Sequence, residues 1–148
     1  MLYRIVGIDP GLTTGLVSFA IEDDKISCIE SHELDIVGIG DYFSSCVDKN
    51  TIVAYEVANK FQASGHLSSE VIGVARYFSS DRDSQFIPVT QSSHKKLITR
   101  QVLRNAGLLV PGGHAKDAAG VAIFTAVTKL NCIQWVLSQG GSDGAGSG

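Results

Sequence analysis

The sequence predicts an α/β domain built on a mixed five-stranded sheet with helices on both faces. The first third of the chain contains three short apolar or alternating segments joined by brief polar turns, which is typical of an antiparallel meander. The remainder alternates helical segments with two further short apolar segments, as in right-handed β-α-β crossovers with parallel strands. A length of 148 residues suits a single domain with a substantial core.

The first three predicted strands follow one another closely. Residues 2–9 are nearly all apolar, which indicates a strand buried on both faces. Leu16 to Ile21 forms the second strand, and the polar residues 22–25 form a hairpin turn. Ile26 to Leu34 alternates apolar and polar residues, as a half-exposed strand does.

The later elements are predicted from helical periodicity, capping residues and short apolar runs. Ser68 or Ser69 is suited to cap the second helix, and Pro88 in the fifth strand favours an edge position. The predicted order is a helix at 36–49, a strand at 51–56, a helix at 67–79, a strand at 85–89, a helix from Ser92 or Ser93 to 105 and a helix at 114–137. This order makes the first and fourth strands parallel neighbours at the centre of the sheet.

The predicted domain spans residues 1–138. Residues 139–148 are glycine, serine, alanine and one aspartate, a composition typical of a disordered tail or an engineered linker. No apolar run approaches the roughly 20 residues of a membrane span. Asp9 interrupts the apolar stretch at the N-terminus, which is unlike a secretory signal. Three scattered cysteines suit buried or partly buried thiols in a reducing compartment: Cys28, Cys46 and Cys132. We therefore expect no membrane partner and a cytoplasmic location, in a bacterium or a bacteriophage-infected cell.

Charge is distributed unevenly along the chain. The net charge is −3, yet residues 84–148 hold 2 acidic against 6 basic residues, whereas residues 1–83 hold 13 acidic against 6 basic. Such asymmetry predicts one basic face that meets nucleic-acid phosphate, although a solvated helix face is a competing interpretation. We also expect Phe61 to stack on bases, with Lys60 beside it, although a packed loop anchor would explain Phe61 as well. The predicted DNA-binding residues are Lys60, Phe61, Lys95, Lys96, Arg100, Arg104 and Lys116.

Two carboxylates follow apolar strands at their carboxyl ends. Asp9 closes the first strand and Glu56 closes the fourth, so neighbouring strands would place the two side by side where open α/β sheets bind ligands. His114 and Asp117 share one face at the start of the last helix. Carboxylates at such depth are costly to bury unless a cation pairs with them. The four residues therefore predict a divalent-metal site and a phosphodiester hydrolase.

The same residues carry a family resemblance. The segments 7–15 (GIDPGLTTG) and 114–122 (HAKDAAGVA), together with Glu56, resemble RuvC-type Holliday junction resolvases, which are ribonuclease H-like nucleases. The resemblance implies a ribonuclease H-like fold and a homodimer that cuts four-way or other branched DNA. It implies two Mg²⁺ or Mn²⁺ ions per site, held by the catalytic residues Asp9, Glu56, His114 and Asp117. Because imidazole suits Mn²⁺ better than Mg²⁺, we expect higher endonuclease activity with Mn²⁺.

The sequence is compatible with two other function classes. The glycine- and threonine-containing segment after Asp9 is compatible with an ATP-binding protein of the actin or sugar-kinase type. Against that class, the chain is too short for two such lobes, and no later glycine-rich phosphate loop is evident. The other class is a non-catalytic nucleic-acid-binding module of the same fold, against which four intact candidate ligands argue. His66 and His94 have no partners at ligand spacing and are predicted to be ordinary polar residues.

Overall fold

The predicted mixed sheet is confirmed, and so is the parallel pairing of its first and fourth strands. The computed structural model describes residues 2–57, 65–110, 113–132 and 134–136. Its five strands lie in the order β3-β2-β1-β4-β5. The elements are β1 (Tyr3–Asp9), β2 (Thr14–Glu22), β3 (Lys25–Leu34), α1 (Ile36–Cys46), β4 (Thr51–Glu56), α2 (Gly65–Asp81), β5 (Gln85–Val89), α3 (Gln91–Leu97), α4 (Arg100–Asn105) and α5 (Gly113–Leu130).

The sheet is antiparallel in its first half and parallel in its second. β1 pairs antiparallel with β2, and β2 pairs antiparallel with β3. Asp23 and Asp24 join β2 to β3 with positive φ values of 52° and 63°, which give the twist of a two-residue hairpin turn. β4 lies parallel to β1 on one side and to β5 on the other, so β5 is an edge strand as its proline predicts.

Strand alternation divides the core between the two faces of the sheet. Ile5 and Phe19 point to the face covered by α4 and α5. Val6 and Ile8 point to the opposite face, where α1 and α2 pack. Because successive side chains of a strand alternate, Asp9 shares the α5 face with Ile5. The helices thus cover both faces, and α5 lies over the face that carries Asp9.

Helix α5 packs against the sheet at main-chain contact distance. A Cβ atom on Gly7 would lie 2.4 Å from the carbonyl oxygen of Ala118, and one on Gly15 would lie 2.1 Å from that of His114. The room beside Gly7 is therefore filled by the helix. Small residues on α5, including Ala115 and Ala122, permit this approach.

Several predicted helix boundaries were wrong, and the third predicted helix is in fact two helices. The segment 92–105 forms two helices, because Thr99 caps a new helix by accepting a hydrogen bond from the Val102 amide at 3.3 Å. Thr90, rather than Ser92 or Ser93, caps the first of them.

Helix α2 begins at Gly65, before its predicted serine caps, and Ser68 instead donates to the Pro10 carbonyl at 3.1 Å. The first predicted helix ends at Cys46 rather than at residue 49, and the last at Leu130 rather than at 137. Cys28 is exposed, contrary to the expectation that all three cysteines are buried or partly buried. Among the described helices, no apolar stretch reaches the length of a bilayer span. Residues 139–148 lie outside the described part of the chain.

Candidate metal centre

The two strand-end carboxylates lie side by side because β1 and β4 are parallel and in register. The last paired residues of the two strands are Ile8 and Tyr55, and each is followed directly by a carboxylate. Asp9 and Glu56 therefore lie at the same carboxyl-terminal end of the sheet and on the same face. Their side chains are 15% and 12% exposed, so both are largely removed from water.

Helix α5 adds the third carboxylate. Asp117 lies in its first turns, and the close approach of this helix to Gly15 brings that end of α5 down onto the sheet. One carboxylate oxygen from each of Asp9, Glu56 and Asp117 lies within 4.8 Å of the other two. Among the described residues, this is the group of acidic, histidine and cysteine side chains with spacing suited to a metal ion.

The electrostatics of this group are unfavourable for three bare carboxylates. Burial, and then the negative charges of Glu56 and Asp117, raise the pKa of Asp9 from 3.8 to about 6. A hydrogen bond and a favourable charge interaction with His114 lower the Asp9 pKa without cancelling the rise. A divalent cation would relieve both the desolvation and the mutual repulsion, and oxygen donors are what Mg²⁺ and Mn²⁺ accept. The donor set therefore fits such a cation.

His114 lies beside the carboxylates but outside their tight group. Its Nδ1 atom is 3.4 Å from Oδ2 of Asp9, and its side chain is 53% exposed. The structure thus brings together all four residues singled out by the sequence, with three carboxylates converging and the imidazole at the solvent side of Asp9.

The sequence missed His94, and the prediction that it is an ordinary polar residue was wrong. His94 is buried, at 2% exposure, and its Nε2 atom lies 2.8 Å from Oε2 of Glu56. Residue spacing could not reveal this contact, since the two residues are 38 positions apart. The second unassigned histidine, His66, has a side chain outside the described part of the chain.

The carboxylates line an open cavity of about 480 Å³. The loop that follows β1 forms one wall of it, with Pro10, Gly11, Leu12 and Thr13. Leu12 is 72% exposed at this wall. The three carboxylates therefore line an open cavity rather than a closed core.

A second cavity of about 500 Å³ adjoins the first, and Asp117 lines both. The charged side chains that line it, apart from Asp117, are basic: Lys95, Arg100 and Lys116. We call this cavity the basic groove. The Lys95 ammonium lies 3.8 Å from Oδ1 of Asp117, which joins the groove to the carboxylates.

Not all predicted DNA-binding residues share this groove. Lys96 and Arg104 are exposed but do not line it. The break between α3 and α4 places Lys96 on a different helix from Arg100 and Arg104. Lys60 and Phe61 lie outside the described residues, so their role stays a prediction.

Comparisons with known proteins show the fold. No family model matches the sequence, and no curated protein does either. A structure of Thermus thermophilus RuvC is similar, with a TM-score of 0.70 and 15% identity over 87% of this chain and 97% of that one. T. thermophilus RuvC in complex with Holliday junction substrate matches with a TM-score of 0.69 and 14% identity, over 87% and 96% of the two chains. The chain therefore has a RuvC-like fold, and the predicted ribonuclease H-like class is confirmed.

Proposed function

We propose that this RuvC-like chain is a metal-dependent endonuclease that cuts four-way or other branched DNA. The observation that carries the proposal is the convergence of Asp9, Glu56 and Asp117 within 4.8 Å at the open edge of the sheet. The likeness to a RuvC structure that holds a Holliday junction supports branched DNA as the substrate. His94, Lys95 and His114 each lie beside one of these carboxylates, yet the pKa of Asp9 stays raised to about 6, so their contacts do not offset the burial and mutual repulsion of the group.

The proposed cofactor is Mg²⁺ or Mn²⁺, with two ions per site. Asp9 would be the shared ligand, because its carboxylate interacts with both Glu56 and Asp117. His114 would contribute a further ligand or accept a proton from the attacking water. When bound, divalent cations in such a site supply Lewis acidity toward the phosphodiester and the water that attacks it.

The residues around the carboxylates suit the rest of the reaction. The basic groove offers Arg100 and Lys116 to the backbone phosphates of DNA that passes over Asp117. Lys95 lies nearest the carboxylates, where its ammonium would neutralise charge on the phosphate that is cut. The neighbouring wall presents Leu12, an exposed apolar side chain in reach of sugars or bases.

Two further parts of the proposal concern assembly and location. We infer a homodimer, because two symmetric cuts in a junction need two sites related by a two-fold axis. We also infer that the protein works in the cytoplasm of a bacterium or a bacteriophage-infected cell, where branched DNA arises. Sedimentation equilibrium with and without a junction measures the first of these directly.

A cleavage assay on synthetic DNA tests the proposal. A mobile four-way junction and a duplex of the same sequence are incubated with the protein in Mn²⁺, in Mg²⁺ and in excess chelator. We expect paired nicks in the junction, little cutting of the duplex, and none with chelator. Asp9→Asn, Glu56→Gln and Asp117→Asn should each lower the rate at least about 100-fold, because each removes a charge that the cations need.

Asp41→Asn is the matched control, since it neutralises an exposed acid on α1 outside the site. Its rate should equal that of the wild type. Cleavage that survives chelation, or that survives Asp9→Asn, would contradict the proposal.

A further inference from the structure

We propose that His94 is a positioning residue that holds Glu56 in the orientation needed to bind a divalent cation. This inference rests on the proposed function and adds a residue that neither the sequence motifs nor the fold comparison indicate. Its basis is a hydrogen-bond distance of 2.8 Å between two side chains that are 2% and 12% exposed.

The chain fixes His94 at Glu56 through main-chain structure. β5 pairs with β4 so that Val89 lies opposite Glu56, and the Val57 amide donates to the Val89 carbonyl at 2.9 Å. Thr90 then caps α3 directly after β5, and His94 lies one turn into this helix. The imidazole therefore reaches Glu56 from a helix whose start is tied to the same strand pair.

Gly120 of α5 leaves the room that the His94 ring occupies. A Cβ atom at Gly120 would lie 2.9 Å from Nδ1 and 3.4 Å from Cε1 of His94. Glycine inside a helix is unfavourable by about 1 kcal/mol relative to alanine, so its use at this buried position has a packing reason. Three elements, β4, α3 and α5, thus meet at one ring.

The chemistry favours a donor role for His94. Repulsion from the two neighbouring carboxylates favours rotation of Glu56 away from them. A hydrogen bond donated by an N–H group to one of its oxygens restrains that rotation. Hydrogen bonds from a second layer of residues to metal-binding groups commonly contribute 10- to 100-fold in metal affinity. A hydrogen-bonding role, unlike a metal-binding role, can be filled by an amide N–H at the same position.

The test measures Mn²⁺ binding to the purified full chain, from the electron paramagnetic resonance signal of free Mn²⁺. His94→Leu removes the donor, His94→Gln places an amide N–H near the position of Nε2, and Gly120→Ala displaces the ring without altering it. We expect His94→Leu and Gly120→Ala to weaken Mn²⁺ binding about 10- to 100-fold and His94→Gln to stay within about threefold of wild type.

Gly73→Ala is the matched control for Gly120→Ala, because a methyl group there adds to a helix and meets nothing within 4 Å. It should leave Mn²⁺ binding unchanged. Wild-type Mn²⁺ affinity in both His94→Leu and Gly120→Ala would overturn the role of His94. The same conclusion would follow if His94→Gln bound Mn²⁺ as weakly as His94→Leu does. If His94→Leu does not fold, Gly120→Ala and His94→Gln decide.

Asp9→Asn separates this inference from the proposed function. If the wild type binds no Mn²⁺, or if its Mn²⁺ binding survives Asp9→Asn, the metal site itself is refuted. If Asp9→Asn abolishes binding while the His94 and Gly120 variants retain it, the metal site stands and the positioning role alone fails.

Discussion

At the scale of single residues, Asp9 is held in an environment that disfavours its charge. Burial and the two neighbouring carboxylates raise its pKa from 3.8 to about 6, so the folded chain keeps this proton where the unfolded chain has lost it. The contribution of Asp9 to the free energy of unfolding is therefore greatest below about pH 4. It is lost as the pH rises through about 6. The site is destabilised at neutral pH for as long as no cation is bound.

Asp9→Asn should consequently stabilise the metal-free protein at pH 8. We expect a gain of about 1 to 2 kcal/mol, less than the full shift represents, because solvent partly screens the group. This gain corresponds to a rise in Tm of about 3 to 6 °C. Thermal unfolding in chelator at pH 8 and pH 4 measures it, and the difference should be much smaller at pH 4, close to the unfolded pKa of 3.8. A lower Tm for Asp9→Asn at pH 8 would show that the carboxylate is not under this strain.

Single residues also show where sequence reasoning stops. Asp9 and Glu56 were predictable because each directly follows an apolar strand, and parallel neighbours bring strand ends together. Asp117 was predictable from its place at the start of a small-residue helix. His94 was not, because its contact with Glu56 depends on where α3 lies and on a gap at Gly120, neither of which leaves a periodic signal.

At the scale of elements, the docking of α5 determines the geometry of the site. Its first turn contacts Gly15 of β2 and its second contacts Gly7 of β1, both through main-chain atoms. A side chain at either glycine cannot be accommodated by rotation of a neighbour, because the contacted atoms belong to the helix backbone. The helix must move, and Asp117 must move with it.

Gly15→Ala should therefore impair both folding stability and the metal site. We expect a loss of at least about 2 kcal/mol in the free energy of unfolding, because a Cβ would lie 2.1 Å from the His114 carbonyl oxygen. Mn²⁺ binding to the folded fraction should fall as well. Urea unfolding and Mn²⁺ titration measure the two effects. Gly113→Ala adds a methyl group in open space at the same end of α5, and it should change neither the free energy of unfolding nor Mn²⁺ binding. Equal losses in the two variants would contradict the role of α5 docking.

The elements were largely predictable, and the exceptions have local causes. Apolar runs and alternation gave all five strands, since strand burial is a two-residue pattern that tertiary contacts reinforce. The helix at 92–105 misled because its apolar spacing continues through Ile98 and Thr99, where the chain in fact turns extended and restarts. In the sequence, a threonine that caps a new helix looks the same as one inside a continuous helix. Only the backbone conformation distinguishes the two cases.

At the scale of the whole molecule, acidic and basic surfaces meet at one edge. The carboxylate cavity is formed by the two central strands and α5, while the basic groove is formed by α3, α4 and α5. Both share Asp117. The negative net charge of the chain therefore does not oppose nucleic-acid binding, because positive charge is concentrated beside the cavity.

The basic groove predicts how binding depends on salt. Arg100→Ala combined with Lys116→Ala should weaken junction binding and reduce the slope of log K against log salt by about 2, since each contact with duplex phosphate contributes about 0.9. Fluorescence anisotropy over a salt series in chelator measures this slope. Lys129→Ala removes an exposed cation from the far end of α5 and should leave the slope unchanged. An unaltered slope in the double variant would place the DNA elsewhere.

The central claim is that three carboxylates, distant in sequence, form one cation site. Anomalous scattering from a crystal of the protein soaked in Mn²⁺ tests it most directly. We predict at least one strong peak bound by Asp9, Glu56 and Asp117, absent from an Asp9→Asn crystal treated in the same way. A crystal in which Mn²⁺ binds only elsewhere, or in which these side chains stay free of metal at saturating Mn²⁺, would contradict the account.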